Sequence, residues 1–227
     1  MSASSPQVRV SPNFNDRPDG VLIDMLVLHY TGMQTCDAAL DRLCDPDTGV
    51  SAHYVIEEDG TVHRLVDEDK RAWHAGVSWW RGAADINGRS IGIELVNPGH
   101  EFGLSPFPQP QMQALVALSR AILNRHPIAL RNVVGHADVA PRRKQDPGEL
   151  FDWSFLAAHG VGLWVADAQP AHATDDELNA MLAAFGYEID DLHATLRAFQ
   201  RHFRPSCVDG RADEETVGLL KALLDSL

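Results

Sequence analysis

With 227 residues, 44% of them hydrophobic and 22% charged, the chain has the length and balance of a globular protein with room for a buried core. A formal net charge of −13 argues against nucleic acid as a partner and against a polybasic membrane anchor, both of which depend on Lys and Arg. The longest apolar run, near residues 21–28, is broken by Asp24 and is far too short to cross a bilayer, so no transmembrane segment is expected.

The opening stretch, MSASSPQVRVSPNFNDRP, has no basic segment followed by an apolar one, and residues 1–20 read as an N-terminal arm. Residues 21–30 are apolar with little alternation, which predicts a central strand buried on both faces. Thr35 then serves as the N-cap of a helix that turns Leu40 and Leu43 inward and stops at Asp45-Pro46. In SAHYVIEEDGTVHRLV two strand-like runs flank Glu58-Asp59-Gly60, a hairpin turn with Gly where a positive φ is needed. SIGIELV (90–96) predicts a second buried strand, reached through a long loop rich in Trp, Gly and Arg. Met112, Leu115, Leu118 and Ile122 give Gln109–His126 a helical period. Asn132–Gly135 is a short strand that delivers His136, and FDWSFLAAHG is a helix. Alternating strands and helices with one hairpin predict an α/β fold, a central mixed β-sheet flanked by helices, over residues 21–164.

The composition of residues 165–174 shifts to Ala, Asp, Gln and Pro, as in a linker. Residues 175–227 then carry three amphipathic segments. Leu192, Leu196, Phe199 and Phe203 form one stripe, and Val217, Leu220 and Leu224 another, which predicts a small C-terminal three-helix bundle. Cys36 and Cys44 lie on one predicted helix about 12 Å apart, too far for a disulfide. Free thiols without a visible leader point to the cytoplasm.

The candidate chemistry sits where predicted elements end. His29 closes the first buried strand, His136 follows the short strand, and Asp146 lies in RRKQDPG. Two imidazoles and a carboxylate suit a tetrahedral Zn2+, one per chain, with an open position for water. Taken singly, each histidine reads equally well as a buried ring satisfied by backbone bonds, and Asp146 as a turn-former. Lys144 stands two residues before Asp146, so in extended chain both side chains point the same way. It would face the developing oxyanion, or else be a solvated Lys beside Arg142 and Arg143. Glu94 is the one charge in SIGIELV, and a carboxylate in a buried strand is retained for a partner or for proton transfer. Of the other histidines, His74 in RAWHAGVSWWRG is the one expected to touch substrate. His53, His63 and His74 itself are alternative ligands, and His100, His126, His159, His172, His193 and His202 are expected at the surface.

VLHYTG, VSAHYVIEEDGTVHRLVDEDKRAWHAGVSWWRG, SIGIELVN and VVGHADVAPRRKQDPG, in that order, resemble the zinc-dependent N-acetylmuramoyl-L-alanine amidases of the type 2 family. The resemblance spans roughly residues 20–165. It implies zinc on His29, His136 and Asp146, Glu94 as catalytic base, and Lys144 as stabiliser of the tetrahedral intermediate. The bond cut would join the lactyl group of N-acetylmuramic acid, including its 1,6-anhydro form, to L-alanine, in peptidoglycan recycling or turnover. The partners would be muropeptides or peptidoglycan fragments. Trp79, Trp80 and Arg81 would shape the groove together with Tyr54 and His74, and Arg71 or Arg89 would meet a peptide carboxylate.

LRAFQRHFRPSCVDGRADEETVGLLKALL resembles the C-terminal half of peptidoglycan-binding helical domains, most closely those on membrane-tethered amidases of the same family. That likeness makes the periplasm or outer membrane the alternative compartment. A binding or sensing module without catalysis is the competing class, and it would be keeping Glu94 and Lys144 to no purpose. A protein-cleaving zinc protease would require an HExxH helix, which the chain lacks.

Overall fold

The computed structural model describes residues 6–227, so the first five residues of the expected arm lie outside the described part. The rest of the arm pairs with the body. It contributes β1 (Gln7–Val8) and β2 (Phe14–Asp16), which precede the central β3 (Met25–Tyr30). Helix α1 (Cys36–Cys44) begins at Thr35, whose hydroxyl accepts the Ala38 N–H. The hairpin joins β4 (Tyr54–Ile56) to β5 (Val62–Arg64), with Gly60 at φ 90°. After it come β6 (Lys70–Ala72), the one-turn α2 (Ile86–Arg89) and β7 (Ser90–Leu95). Next are α3 (Gly99–Phe102), the long α4 (Gln109–Arg125), β8 (Val133–Gly135), α5 (His136–Val139) and α6 (Trp153–Ala158). The tail supplies α7 (Asp175–Phe185), α8 (Leu192–Phe203) and α9 (Glu214–Asp225).

Six strands form one mixed sheet in the order β1-β5-β4-β7-β3-β8, parallel except for the β4–β5 hairpin; β2 and β6 pair separately. The first central strand is shorter than the expected 21–30. Its partner β7 starts at Ser90, opposite Met25. Val21 and Leu22 are therefore left exposed, while the Asp24 carboxylate is gripped by Arg89.

Alternation along the strands separates two faces. Leu26, Leu28, Ile91, Ile93 and Leu95 pack against Met112, Leu115 and Ile122 of α4 and Trp153 and Leu156 of α6. On the opposite face Val55 lies under Leu40 and Leu43 of α1, whereas Met25, Val27 and Val134 lie under the tail. One apolar cluster thus joins Met25, Trp80, Ile86 and Val139 to Leu182, Phe185, Phe199, Phe203 and Leu220. The segment before α7 is itself packed, since a Cβ on Gly218 of α9 would lie 2.3 Å from the Gln169 carbonyl oxygen.

A polar junction reinforces that contact. Asp138 on α5 is buried and accepts hydrogen bonds from the Gly135 N–H (2.7 Å), the Tyr187 hydroxyl (2.6 Å) and His202 Nδ1 (2.7 Å). His202, expected at the surface, is instead 3% exposed and stacks on Trp153. The apolar stripe of α8 leaves His202 beside Phe203, and the facing carboxylate decides that it turns inward.

Candidate active site

Between the two covers on that second face the His74 ring lies over Gly92, and the site occupies the opening above Glu94. His29 and Glu94 are paired across the parallel β3–β7 ladder, which sets both side chains on one face at neighbouring strand ends. His136 is the first residue of α5, directly after β8. The turn carrying Asp146 is tied to that helix by the Ala137 N–H, which donates to the Asp146 carbonyl at 2.9 Å.

Three potential ligand atoms converge. His29 Nδ1 lies 2.9 Å from His136 Nδ1, and both lie 3.0 Å from Asp146 Oδ2; all three residues are buried. The far ring nitrogens are held elsewhere. His136 Nε2 donates to the Ala75 carbonyl at 3.0 Å, which leaves its Nδ1 as an acceptor. His29 Nε2 meets His74 Nδ1 at 3.0 Å, His74 Nε2 meets Ser90 Oγ at 3.1 Å, and Ser90 Oγ donates to the Ile86 carbonyl at 2.7 Å. One directional set of donors satisfies this chain and presents the lone pair of His29 Nδ1 as well. Two imidazole lone pairs and a carboxylate facing one another repel unless a cation or a shared proton lies among them. Their donor types suit zinc, and the partners behind the rings resemble those that orient zinc-binding histidines.

Electrostatics agree with this picture. Burial and the neighbouring His136 hold His29 down to about 4, so its ring is neutral near pH 7. Burial raises the Glu94 carboxyl well above the usual range, the nearby Asp146 charge adds to the shift, and Lys144 opposes it. Glu94 Oε2 has no hydrogen-bond partner among the described residues. A buried carboxyl with a raised pKa and no structural partner is suited to proton transfer.

The cavity above these groups measures about 580 Å³, and Glu94, His136, Lys144 and Asp146 line it together. Of the residues expected to bind substrate, only His74 reaches it, and its ring nitrogens are committed to His29 and Ser90. The others lie elsewhere. Trp80 is fully buried against Phe185 and Tyr187. Tyr54 donates to Glu68, Arg71 pairs with Asp85, and Arg89 grips Asp24. Trp79 and Arg81 line a separate depression beside Gly186 and Glu188. The cavity wall is made instead by Trp73, Arg42, Arg143 and Gln145, among others. Arg143 and Trp73 adjoin Lys144 and His74 in sequence, and that adjacency was the available signal.

Comparison with known proteins agrees with the geometry. The family profile described as N-acetylmuramoyl-L-alanine amidase matches residues 18–149. The Escherichia coli (strain K12) N-acetylmuramoyl-L-alanine amidase AmiD is 39% identical, with 89% of this chain and 83% of AmiD aligned. The 1,6-anhydro-N-acetylmuramyl-L-alanine amidase AmpD of the same organism is 37% identical over 63% of this chain and 86% of its own length. The crystal structure of AmpDh3 from Pseudomonas aeruginosa in complex with anhydromuramic pentapeptide superposes with a TM-score of 0.84 at 32% identity, covering 96% of this chain and 98% of that one. The converging histidines and aspartate, the buried glutamate beside them and these matches place the chain in the N-acetylmuramoyl-L-alanine amidase family.

Proposed function

We propose that this enzyme is a zinc-dependent hydrolase of the amide between N-acetylmuramic acid, including its 1,6-anhydro form, and the L-alanine of stem peptides, acting in peptidoglycan recycling or turnover. The observation that carries the reading is the convergence of His29 Nδ1, His136 Nδ1 and Asp146 Oδ2 beneath a cavity that Glu94 and Lys144 also line. Those three residues would hold one zinc ion. Bound there, zinc supplies a Lewis acid for the scissile carbonyl and lowers the pKa of water.

The protein's own groups do the rest. Glu94 takes the proton of the attacking water and returns it to the departing alanine nitrogen, a cycle that its raised pKa favours. Lys144 projects into the same cavity and offsets the charge that develops on the carbonyl oxygen. His74, through Ser90, fixes the tautomer of His29 rather than touching substrate. The three free cysteines fit a reducing compartment, which makes recycled fragments in the cytoplasm the substrate pool; fractionation of native cells tests this assignment.

The test of the reaction is mass spectrometry of products from matched anhydro- and reducing-end muropeptides, with metal analysis of the same samples. Asp146→Ala should lose zinc and turnover together. Full turnover by a metal-free Asp146→Ala variant would overturn the assignment.

A further inference from the structure

A second cavity of about 300 Å³ adjoins the active site, between the segment Pro141–Gln145 and helix α8 of the tail. Arg143, Lys144 and Gln145 line both cavities, so the two share one wall. Across from them stand Arg197 and Arg201.

The charges here are poorly compensated, although the chain as a whole carries −13. Among the described residues, Arg143 donates only to the neutral carbonyls of Ala75 and Val77. Arg201 donates to the side-chain oxygen of Gln145 at 3.0 Å, and its Nε lies 3.7 Å from Glu149. Burial and the adjacent Arg197 lower the Arg201 pKa, and the charge of Glu149 does not fully offset them. Neither Lys144 nor Arg197 has an ion-pair partner among the described residues. Arg142 does, in Glu188 and Asp190, and Asp191 on the cavity wall caps α8 through the Ala194 N–H. What remains facing the cavity is cationic.

We propose that this cleft is a carboxylate-binding subsite for the stem peptide, built jointly by the Pro141–Gln145 segment and by α8. The proposal rests on the amidase reading, because it is the peptide leaving past Lys144 that carries free carboxylates into the cleft. Planar guanidinium groups match carboxylates in geometry, and Arg197 has no other evident task. The tail then contributes to substrate selection as well as covering the sheet.

Calorimetry on the zinc-loaded protein tests the subsite without requiring turnover. The probes are the peptide L-Ala-γ-D-Glu-L-Lys and the same peptide with both carboxyls amidated. Wild type should bind the acid at least about tenfold more tightly, a gap that narrows as salt is raised. Arg197→Ala should bring the two within about threefold, Arg197→Glu should reverse the preference, and Arg197→Lys should keep most of it. Arg197 is exposed on α8, and thermal melts confirm that each variant folds. Absence of an acid preference in wild type, or its full retention in Arg197→Ala, would overturn the subsite. In parallel, kcat and KM are measured on muramyl-linked versions of the two peptides. If neither is cleaved, the amidase reading fails while the binding data still decide the subsite. If both are cleaved with a preference that ignores Arg197, the subsite fails alone.

Discussion

Asp138 offers a sharp test of how the tail is joined to the helix that begins at His136. It is 1% exposed, and its carboxylate is the acceptor for three buried donors: the Gly135 N–H, the Tyr187 hydroxyl and His202 Nδ1. Asp138→Ala leaves all three without a partner. Each unsatisfied buried group costs about 1–3 kcal/mol, and because they share one acceptor the costs are less than additive. The expected loss is about 3–5 kcal/mol, a large part of the roughly 5–15 kcal/mol that stabilises a typical protein. For a chain of this length that is a fall in Tm on the order of 10 °C. Asp138→Asn keeps one acceptor oxygen and should lose about half as much. Urea unfolding followed by tryptophan fluorescence is the assay, since Trp153 stacks on His202 with ring centroids 3.6 Å apart. Tyr187→Phe combined with Asp138→Ala should fall short of additivity by at least about 0.5 kcal/mol. An Asp138→Ala protein within about 1 kcal/mol of wild type would refute the reasoning, because the carboxylate would then not be satisfying those donors.

Glu94→Gln preserves shape but cannot accept the proton, so kcat should drop by about 10²–10⁴ with zinc content retained; turnover and metal analysis on one preparation check both, and near-normal turnover would remove Glu94 from the mechanism. Gly92→Ala places a Cβ 2.5–2.6 Å from three ring atoms of His74, which is held between His29 and Ser90 and has little room to yield. The expected cost is about 1–3 kcal/mol, together with faster zinc loss to a chelator; unchanged chelator resistance would mean that His74 does not orient His29. Burial and the neighbouring Arg17 hold His53 at about 3, below its unfolded value of about 6.5. The unfolded chain therefore binds a proton that the folded chain refuses, and stability should fall as pH drops from about 6.5 towards 3, by up to about 1.4 kcal/mol per pH unit from this group. Urea midpoints measured across that range should flatten in His53→Gln, and an identical slope in the variant would exclude His53 as the source.

The sheet, the long helix Gln109–Arg125 and the three tail helices were legible because their apolar periods are strong; Thr35 accepts the expected N–H, and Thr174 and Asp191 cap tail helices in the same local way. The convergence of His29, His136 and Asp146 was legible for another reason, since each stands where an element ends and the motifs name them together. The walls of the groove were not. Whether Trp79 or Trp80 faces substrate depends on what lies across from the loop, and Trp80 is claimed by Phe185 and Tyr187, about a hundred residues downstream. His202 illustrates the same limit, because its burial depends on a carboxylate supplied by a distant helix. Local pattern carries no information on such pairings.

The register that sets His29 opposite Glu94 has a consequence for how this enzyme can change over evolution. A slip of one residue between the two strands would turn one of these side chains to the opposite face, so their spacing is quantised by the ladder and cannot drift by small amounts. Insertions, deletions and substitutions in the surrounding loops leave that spacing alone. The His29–Glu94 spacing is thereby insulated from changes in those loops, and the loops are free to diversify around it.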